Sequence, residues 1–474
     1  MAAIDSIIGF LNTIFWSYIL IYGLLAVGIF FTLRLKFLQF LHFKELFASV
    51  FDKGETDQSG ITPLQALTIS LASRVGTGNL TGVAVALYLG GAGAIFWMWM
   101  VALVGMATAY SESTLAQLYK IKDESGTYRG GPAFYIAQGL NSRFFAALFS
   151  LALILSFGLV FNAVQANSIS SALSNAYGFD KLYVGIGIAV VTALVVFGGI
   201  RNIARVAEVI VPIMAILYLL LAIVILIMNI TAVPEVLALI FKSAFGLQEA
   251  VGGVTGGIVA AMLNGVKRGL FSNEAGMGSA PNIAAVATPV PHHPSSQGFV
   301  QALGVFIDTL LICTATALMI LLSGLLEPGS GLTGIELTQQ ALSAHIGVAG
   351  MHFVAIAILF FAFTSIIGNY SYAENALTYL GAGNQVGFTL LRCALLAMVI
   401  WGAVQQVTTV FNAADASMGL MATINLVAIV LLSGTVVKLT NDYFAQKKAG
   451  NKPTFHAEDY PELRGQIDMD IWKR

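Results

Sequence analysis

SRVGTGNLTGVAVAL, Ser73 to Leu87, lies where the surrounding hydropathy calls for an uninterrupted membrane helix. Within seven residues it places an arginine, two glycines, a threonine and an asparagine. A lone G-x-G in a membrane helix serves close helix contact. This one is surrounded by polar residues, which points to an unwound turn. Unwinding at membrane depth frees carbonyl and N–H groups that hydrocarbon cannot satisfy. The natural occupants of such a gap are a small cation at the carbonyls and a carboxylate at the N–H groups. The carboxylate is favoured there because the second half-helix begins with a positive dipole end.

A matching disturbance occurs later in the chain. GGVTGGIVAAMLNGVKRGLFSNEAGMGSAPNIAA, Gly252 to Ala285, carries glycines at 256, 257, 265, 269, 276 and 278, with Asn273 and Glu274 between them. Apolar segments recur near 10–34, 62–87, 93–118, 145–170, 180–198, 206–230, 250–275, 298–326, 349–378, 387–408 and 415–438, eleven in all. If the first helix is extra, the breaks fall in the second and seventh, five helices apart. An odd offset turns the two halves over relative to each other, as an inverted repeat requires. Paired interruptions of this kind mark the substrate site of secondary transporters.

Composition supports a membrane protein. The 474 residues are 57% hydrophobic and 10% charged, whereas soluble domains carry about 25% charged residues. The expected fold class is therefore an all-α polytopic membrane protein in contact with lipid. A net charge of −1 leaves no footprint for nucleic acid. The chain has no Walker motif, no HExxH and no repeated selectivity-filter segment. These absences rank ion-driven transport above an enzyme or a channel. Cys313 and Cys393 both fall in apolar segments and read as small packing residues rather than a disulfide. His292 and His293, side by side in a proline-flanked loop, read as loop chemistry. The span from Leu11 to Leu33 reads as a retained helix rather than a signal peptide.

Orientation follows from lysine and arginine. With the N-terminus outside, the cytoplasmic side collects Arg34, Lys36, Lys44, Lys53, Lys120, Lys122, Arg129, Arg143, Arg201, Arg205, Lys267, Arg268, Arg392 and the basic residues from Lys438 to Arg474. Lys181 and Lys242 fall on the other side, and Arg74 stands within a helix. FLQFLHFKELFASVF, Phe37 to Phe51, reads as an amphipathic interfacial helix. The polar tail from Lys447 reads as a cytoplasmic extension of low order.

Three further places bear on chemistry. Asp308 is a carboxylate deep in an apolar helix, a functional hypothesis by default. It reads as a cation ligand, as the partner of Arg74 or of the Lys267–Arg268 region, or as a protonated acid. Thr364 and Ser365 stand side by side in FAFTSIIGNYSYAENAL, Phe361 to Leu377. They either bond their own helix carbonyls or join carbonyls of the first break in an all-oxygen cage for a hard monovalent cation. Gln165 and Asn167, two residues apart, do not share one helix face.

These motifs carry a resemblance to a known family. VGTGNLTGVAVA (75–86), SGTYRGGPAFYI (125–136), VQANSI (164–169), KRGLFSNEAGMGSAPNIAA (267–285), FIDTLLICTATALMIL (306–321) and FAFTSIIGNYSYAEN (361–375) resemble the alanine or glycine:cation symporter family of the amino acid–polyamine–organocation superfamily. The resemblance implies eleven transmembrane helices, ten of them in a leucine-transporter-like 5+5 inverted repeat preceded by one extra helix. It implies sodium-coupled, or in places proton-coupled, uptake of a small neutral amino acid such as alanine or glycine, with no covalent chemistry and no cofactor beyond the co-transported Na+. By motif, the amino acid would meet Thr77, Gly78 and Asn79 on one side and Gln165, Phe271 and Ser272 on the other. The sodium site would use the carbonyls of Ala72, Val75 and Phe361 and the hydroxyls of Thr364 and Ser365. Asn369 stands where alanine-transporting members carry a tryptophan, which would leave room for a longer polar side chain, such as that of serine or glutamine, and offer it an amide to hydrogen-bond as part of the substrate site. Arg74 stands where many members carry a small or polar residue.

The organisation that follows is an extra helix and loop over 1–60, one repeat over 61–230, a second over 231–440, and a cytoplasmic tail over 441–474. The expected setting is the bacterial inner membrane, with a monomer as the transport unit. A channel or an amino acid sensor on the same scaffold is the runner-up.

Overall fold

The computed structural model describes residues 2–52, 59–124, 126–247, 254–327 and 331–473. Lys53, Gly252, Gly253, Arg474 and the Arg201 side chain lie outside the described residues. Among the described residues the regular structure is helical apart from one two-stranded hairpin, Ile121–Lys122 against Tyr128–Arg129, and an isolated bridge between Ile61 and Ala287.

In chain order the helices are α1 (Ser6–Arg34), α2 (Phe43–Phe51), α3 (Pro63–Arg74), α4 (Gly78–Gly90), α5 (Gly93–Leu118), α6 (Pro132–Gly139), α7 (Arg143–Tyr177), α8 (Lys181–Val196) and α9 (Gly199–Met228). There follow α10 (Val233–Ala244), α11 (Val254–Asn273), α12 (Pro281–Val286), α13 (Pro294–Leu322), α14 (Gly334–Ile346), α15 (Val348–Tyr379), α16 (Gln385–Val404), α17 (Val407–Leu431) and α18 (Ser433–Lys448). Among the described residues eight helices (α1, α5, α7, α9, α13, α15, α16 and α17) are long and apolar enough to cross a membrane, and α4 and α8 are shorter apolar helices. The outward faces of α8 and α9 expose Tyr183, Val190, Leu194, Ile213, Ile223 and Ile227, a surface suited to lipid and not to water.

Local chemistry sets the helix starts. Thr62 caps α3 in a reciprocal capping box with Gln65, and Pro63 occupies the first helical position. Asp180 and Asn384 cap α8 and α16 with their side chains. Gly178, at φ +70°, closes α7 in the left-handed conformation. Around the long α5 pack α11 and α13, while α7 packs against α15 and α16.

Most expected spans reappear with shifted ends. The largest shift is in the last, expected at 415–438 and observed at Val407–Leu431, because the chain turns at Gln405–Gln406 and restarts at once. The interfacial helix appears as α2, with Phe43, Phe47 and Phe51 exposed and Leu46 and Val50 buried.

The low-order reading of the tail is corrected. Residues beyond α18 fold back under the bundle, burying Phe455 and Trp472 completely. Trp472 Nε1 donates to the Leu118 carbonyl at 3.3 Å, and Phe455 N donates to the His292 carbonyl at 2.9 Å. Composition hid this because the aromatic residues that anchor the tail are spread thinly among charged ones.

Among the basic residues that the sequence assigns to the cytoplasmic side, Arg268 and Arg392 are buried in the bundle and Lys267 is partly buried. Arg268 and Lys267 of α11 both meet Asp415 of α17, the lysine at 3.4 Å. Arg392 of α16 is buried and donates from Nε to the Tyr370 hydroxyl at 2.8 Å. Of the cysteines, Cys313 is buried and Cys393 is exposed.

Candidate functional site

Both glycine-rich stretches are breaks, and they face each other. α3 stops at Arg74, Val75 turns extended (φ −79°, ψ 92°), and α4 restarts at Gly78 in a wide π-type turn. α11 stops at Asn273. Glu274, Gly276 and Gly278 then take left-handed conformations (φ +60°, +87° and +82°) before α12 begins. The contact between the breaks leaves no room for a side chain at Gly78, where a Cβ would lie 2.9 Å from Ser272 Cα. Gly76 is also constrained, since a Cβ there would collide with Ser365 Oγ and meet Gln165 Oε1 at 2.8 Å.

The freed N–H groups of the first break are held by amide side chains. Gly76 N donates to Asn79 Oδ1 at 2.9 Å, and Thr77 N donates to Gln165 Oε1 at 3.0 Å. The Thr77 hydroxyl is buried without a hydrogen-bond partner. Asn167 points elsewhere, donating to the carbonyls of Gly402 and Gln405.

The freed carbonyls meet α15. Ser365 Oγ lies 3.0 Å from the Phe361 carbonyl and 3.5 Å from the Val75 carbonyl, and Thr364 Oγ1 lies 2.9 Å from the Phe361 carbonyl. Ala72 is fully buried in the last turn of α3. Gly368 allows the approach, since a Cβ there would meet Ser73 N at 3.1 Å. The result is a cluster of neutral oxygens, the donor chemistry of a hard cation of low charge.

On the opposite side of the break Asn79 Nδ2 donates to Asp308 Oδ1 at 2.7 Å and to the Asp308 carbonyl at 3.1 Å. Ser272 and Thr309 donate to Asp308 Oδ2 at 2.8 and 2.7 Å. Asp308 also sits in a wide π-type turn, Phe306–Cys313, and such turns recur at functional sites. Its expected pairing with Arg74 or with Lys267–Arg268 does not occur: hydroxyl and amide donors surround it, and the two cations of α11 are held by Asp415. Cys313 lies 3.2 Å from both Asn79 Nδ2 and Ser272 Oγ, so it belongs to this polar cluster rather than to apolar filling.

Aromatic rings of α7 and α11 stack beside the second break. Phe271 stacks on Phe161 at 4.7 Å, Phe161 stacks on Phe157 at 4.4 Å, and the Arg268 guanidinium lies over Phe411 at 4.8 Å. Asn369 bonds the protein at both ends of its amide, accepting from Ser73 Oγ at 2.6 Å and donating to Asn162 Oδ1 at 3.0 Å.

Arg74 is buried, donates to the Gln301 carbonyl at 3.2 Å, and leaves Nε and one terminal nitrogen without partners. Its charge acts on three buried carboxylates, Glu112, Glu274 and Asp308. Sequence reasoning passed over Glu112, which accepts from Gly276 N at 3.1 Å and from Asn425 Nδ2 at 2.7 Å and so braces the second break. The criterion that singled out Asp308, a carboxylate within an apolar helix, would have found it.

Comparison with known proteins places the chain in a family. The sequence model of the sodium:alanine symporter family matches residues 1–457. An uncharacterized transporter of Haemophilus influenzae is 51% identical over 95% of this chain and 93% of its own length. The probable sodium/glutamine symporter GlnT of Bacillus subtilis is 49% identical over 99% of this chain and 96% of its own. The sodium/alanine symporter AgcS of Methanococcus maripaludis is 39% identical over 92% of this chain and 97% of its own. This multi-pass inner-membrane chain therefore belongs to the sodium:alanine symporter family and performs sodium-coupled symport of a small neutral amino acid.

Proposed function

We propose that the two breaks form a single transport site shared by Na+ and the amino acid. Na+ binds among the Ala72, Val75 and Phe361 carbonyls and the Thr364 and Ser365 hydroxyls. The amino acid binds at Thr77, Gly78 and Asn79, with Gln165, Phe271 and Ser272 opposite. The observation that carries this reading is the position of Ser365 Oγ between the Val75 and Phe361 carbonyls.

Coupling follows from the shortness of the first break. Val75 offers its carbonyl to the cation, and Thr77, two residues on, offers its N–H to the substrate carboxylate in place of Gln165 Oε1. Fixing either end of so short a segment pre-orders the other, so each cargo raises the affinity for its companion. Asp308, behind Asn79 and Ser272, supplies the negative field for the substrate ammonium group. Asn369 bonds the protein and not the cargo, so it acts on selectivity through its small size. With the glutamine named for the Bacillus subtilis relative, that size supports a cargo range of alanine, glycine, serine and glutamine.

The architecture we propose is eleven crossings: α1, then α3–α4, α5, α7, α8 and α9 as one repeat, and α11–α12, α13, α15, α16 and α17 as its inverted counterpart. The N-terminus lies outside and the C-terminus inside. Supporting this, Lys120, Lys438 and Lys447 gather on one face of the bundle, with α2, the 287–293 loop and the folded tail. Alternating access then rocks the helices around the breaks.

The test is alanine uptake into proteoliposomes under an inward sodium gradient. Uptake should collapse with the gradient. Replacing Thr364 and Ser365 together by alanine should raise the sodium concentration for half-maximal uptake at least tenfold, equivalent to about 1.4 kcal/mol. An unchanged sodium dependence rejects the site.

A further inference from the structure

Glu274 opens the second break and is fully buried, and both of its carboxyl oxygens meet hydroxyls: Ser73 Oγ at 2.7 Å and Ser279 Oγ at 2.6 Å. The hydrogen positions around it follow from a chain of donors with a fixed starting point. Asn162 Nδ2 faces the carbonyls of Phe157 and Gly158 at 2.7 and 3.1 Å. Carbonyls only accept, so the amide cannot be reversed, and Asn162 Oδ1 must face Asn369. Asn369 Nδ2 therefore donates to it at 3.0 Å, which leaves Asn369 Oδ1 as the atom 2.6 Å from Ser73 Oγ. An amide oxygen also only accepts, so the single hydroxyl proton of Ser73 is used there. The 2.7 Å contact between Ser73 Oγ and Glu274 Oε1 then has no proton from the serine. Two oxygens at that distance with no proton between them repel. The proton must belong to the carboxyl group.

We propose that Glu274 is a proton-binding site, held as a neutral carboxylic acid that donates to Ser73 Oγ and accepts from Ser279 Oγ. In this state one continuous run of hydrogen bonds ties the second break to the end of α3, then to α15 through Asn369 and to α7 through Asn162. The charged and titratable groups around Glu274 are Arg74 of α3, Glu112 of α5, Asp308 of α13 and Tyr372 of α15. One guanidinium among three buried carboxylates leaves an excess of negative charge, and a neutral Glu274 reduces it.

Release of the proton to solvent leaves Glu274 Oε1 in need of a donor, since Ser279 already serves Oε2. The nearest is the Ser73 hydrogen, which must rotate away from Asn369 to serve it. That rotation breaks the bridge between α3 and α15 beside the proposed sodium ligands, so alkaline pH loosens the cation site. This consequence rests on the site assignment above, whereas the protonation state does not.

Infrared spectroscopy of the purified full chain tests the proton directly and needs no transport. The wild-type spectrum minus that of Glu274→Gln should show the carbonyl band of a protonated carboxylic acid, fading as pH rises. A difference spectrum containing the bands of an ionised carboxylate at neutral pH overturns the proposal. Glutamine keeps a donor toward Ser73 and an acceptor toward Ser279, so the fold should survive, which a melting curve in detergent checks. Ser73→Ala gives a second handle: it removes the acceptor, so the acid band should shift to the position of a more weakly bonded acid, and an unshifted band counts against the proposal. In transport assays the alkaline decline of sodium-driven uptake should flatten in Glu274→Gln, and an unaltered decline overturns the link to the cation site.

Discussion

Asn79 and Asp308 stand 229 residues apart in the chain, yet their side chains meet at 2.7 Å and join two wide helical turns. The amide therefore acts twice: its oxygen caps Gly76 N and its nitrogen serves the carboxylate. Asn79→Ala removes both bonds. A hydrogen bond to a buried charge is worth about 1.5–3 kcal/mol, so the variant should lose roughly ten- to a hundredfold in substrate affinity. Equilibrium binding of labelled alanine reads this out, and wild-type affinity would remove the pair from the site.

The Arg268–Asp415 contact predicts an effect on stability. Asp415→Ala leaves the buried Arg268 and the partly buried Lys267 without a counter-charge. Breaking a buried pair by removing one partner costs about 3–5 kcal/mol, so melting in detergent should move to clearly lower temperature. Replacing Asp415 and Arg268 together should restore part of the loss. A double variant as unstable as the single one would show that burial of the pair is not what matters.

The docked tail should respond to pH through His292, whose ring lies 5.0 Å from that of Trp472. Burial, aided by the nearby positive charge of Lys120, pushes this imidazole down to about 4. The unfolded value is about 6.5. Because the folded value is the lower one, the docked tail binds fewer protons than the released tail throughout that interval. Docking is therefore fully stable above about 6.5 and weakens as pH falls toward about 4. Limited proteolysis beyond Lys448 should speed up on acidification across this window. His292→Phe should remove the dependence, and if acid sensitivity persists in that variant the histidine is not its source.

The breaks were readable because they are local: glycines beside an asparagine, with nothing else in the span to justify them. The pair of hydroxyls at Thr364 and Ser365 was readable as neutral oxygens on one segment, while the positions of the carbonyls they meet came from a family likeness. The partner of Asp308 was not readable. Charge alone nominated Arg74, but the pairing is decided by how the π-type turn at 306–313 aims its carboxylate at Asn79 and Ser272. Glu274 and Ser73 were hidden for a related reason. Each looks ordinary in its own segment, and their roles exist only where the two breaks touch. Counting charges also could not reveal that Lys267 and Arg268 meet Asp415, since counting assumes that a cation seeks water.

Arg74 owes its place to a side chain that is missing. A Cβ on Gly304 would collide with the Arg74 guanidinium, and the far end of that flexible side chain would have to swing aside. The bare glycine therefore lets the charge lie against α13 at the Gln301 carbonyl. One methyl group added there would redirect a positive charge at the centre of the transporter without altering the arginine itself.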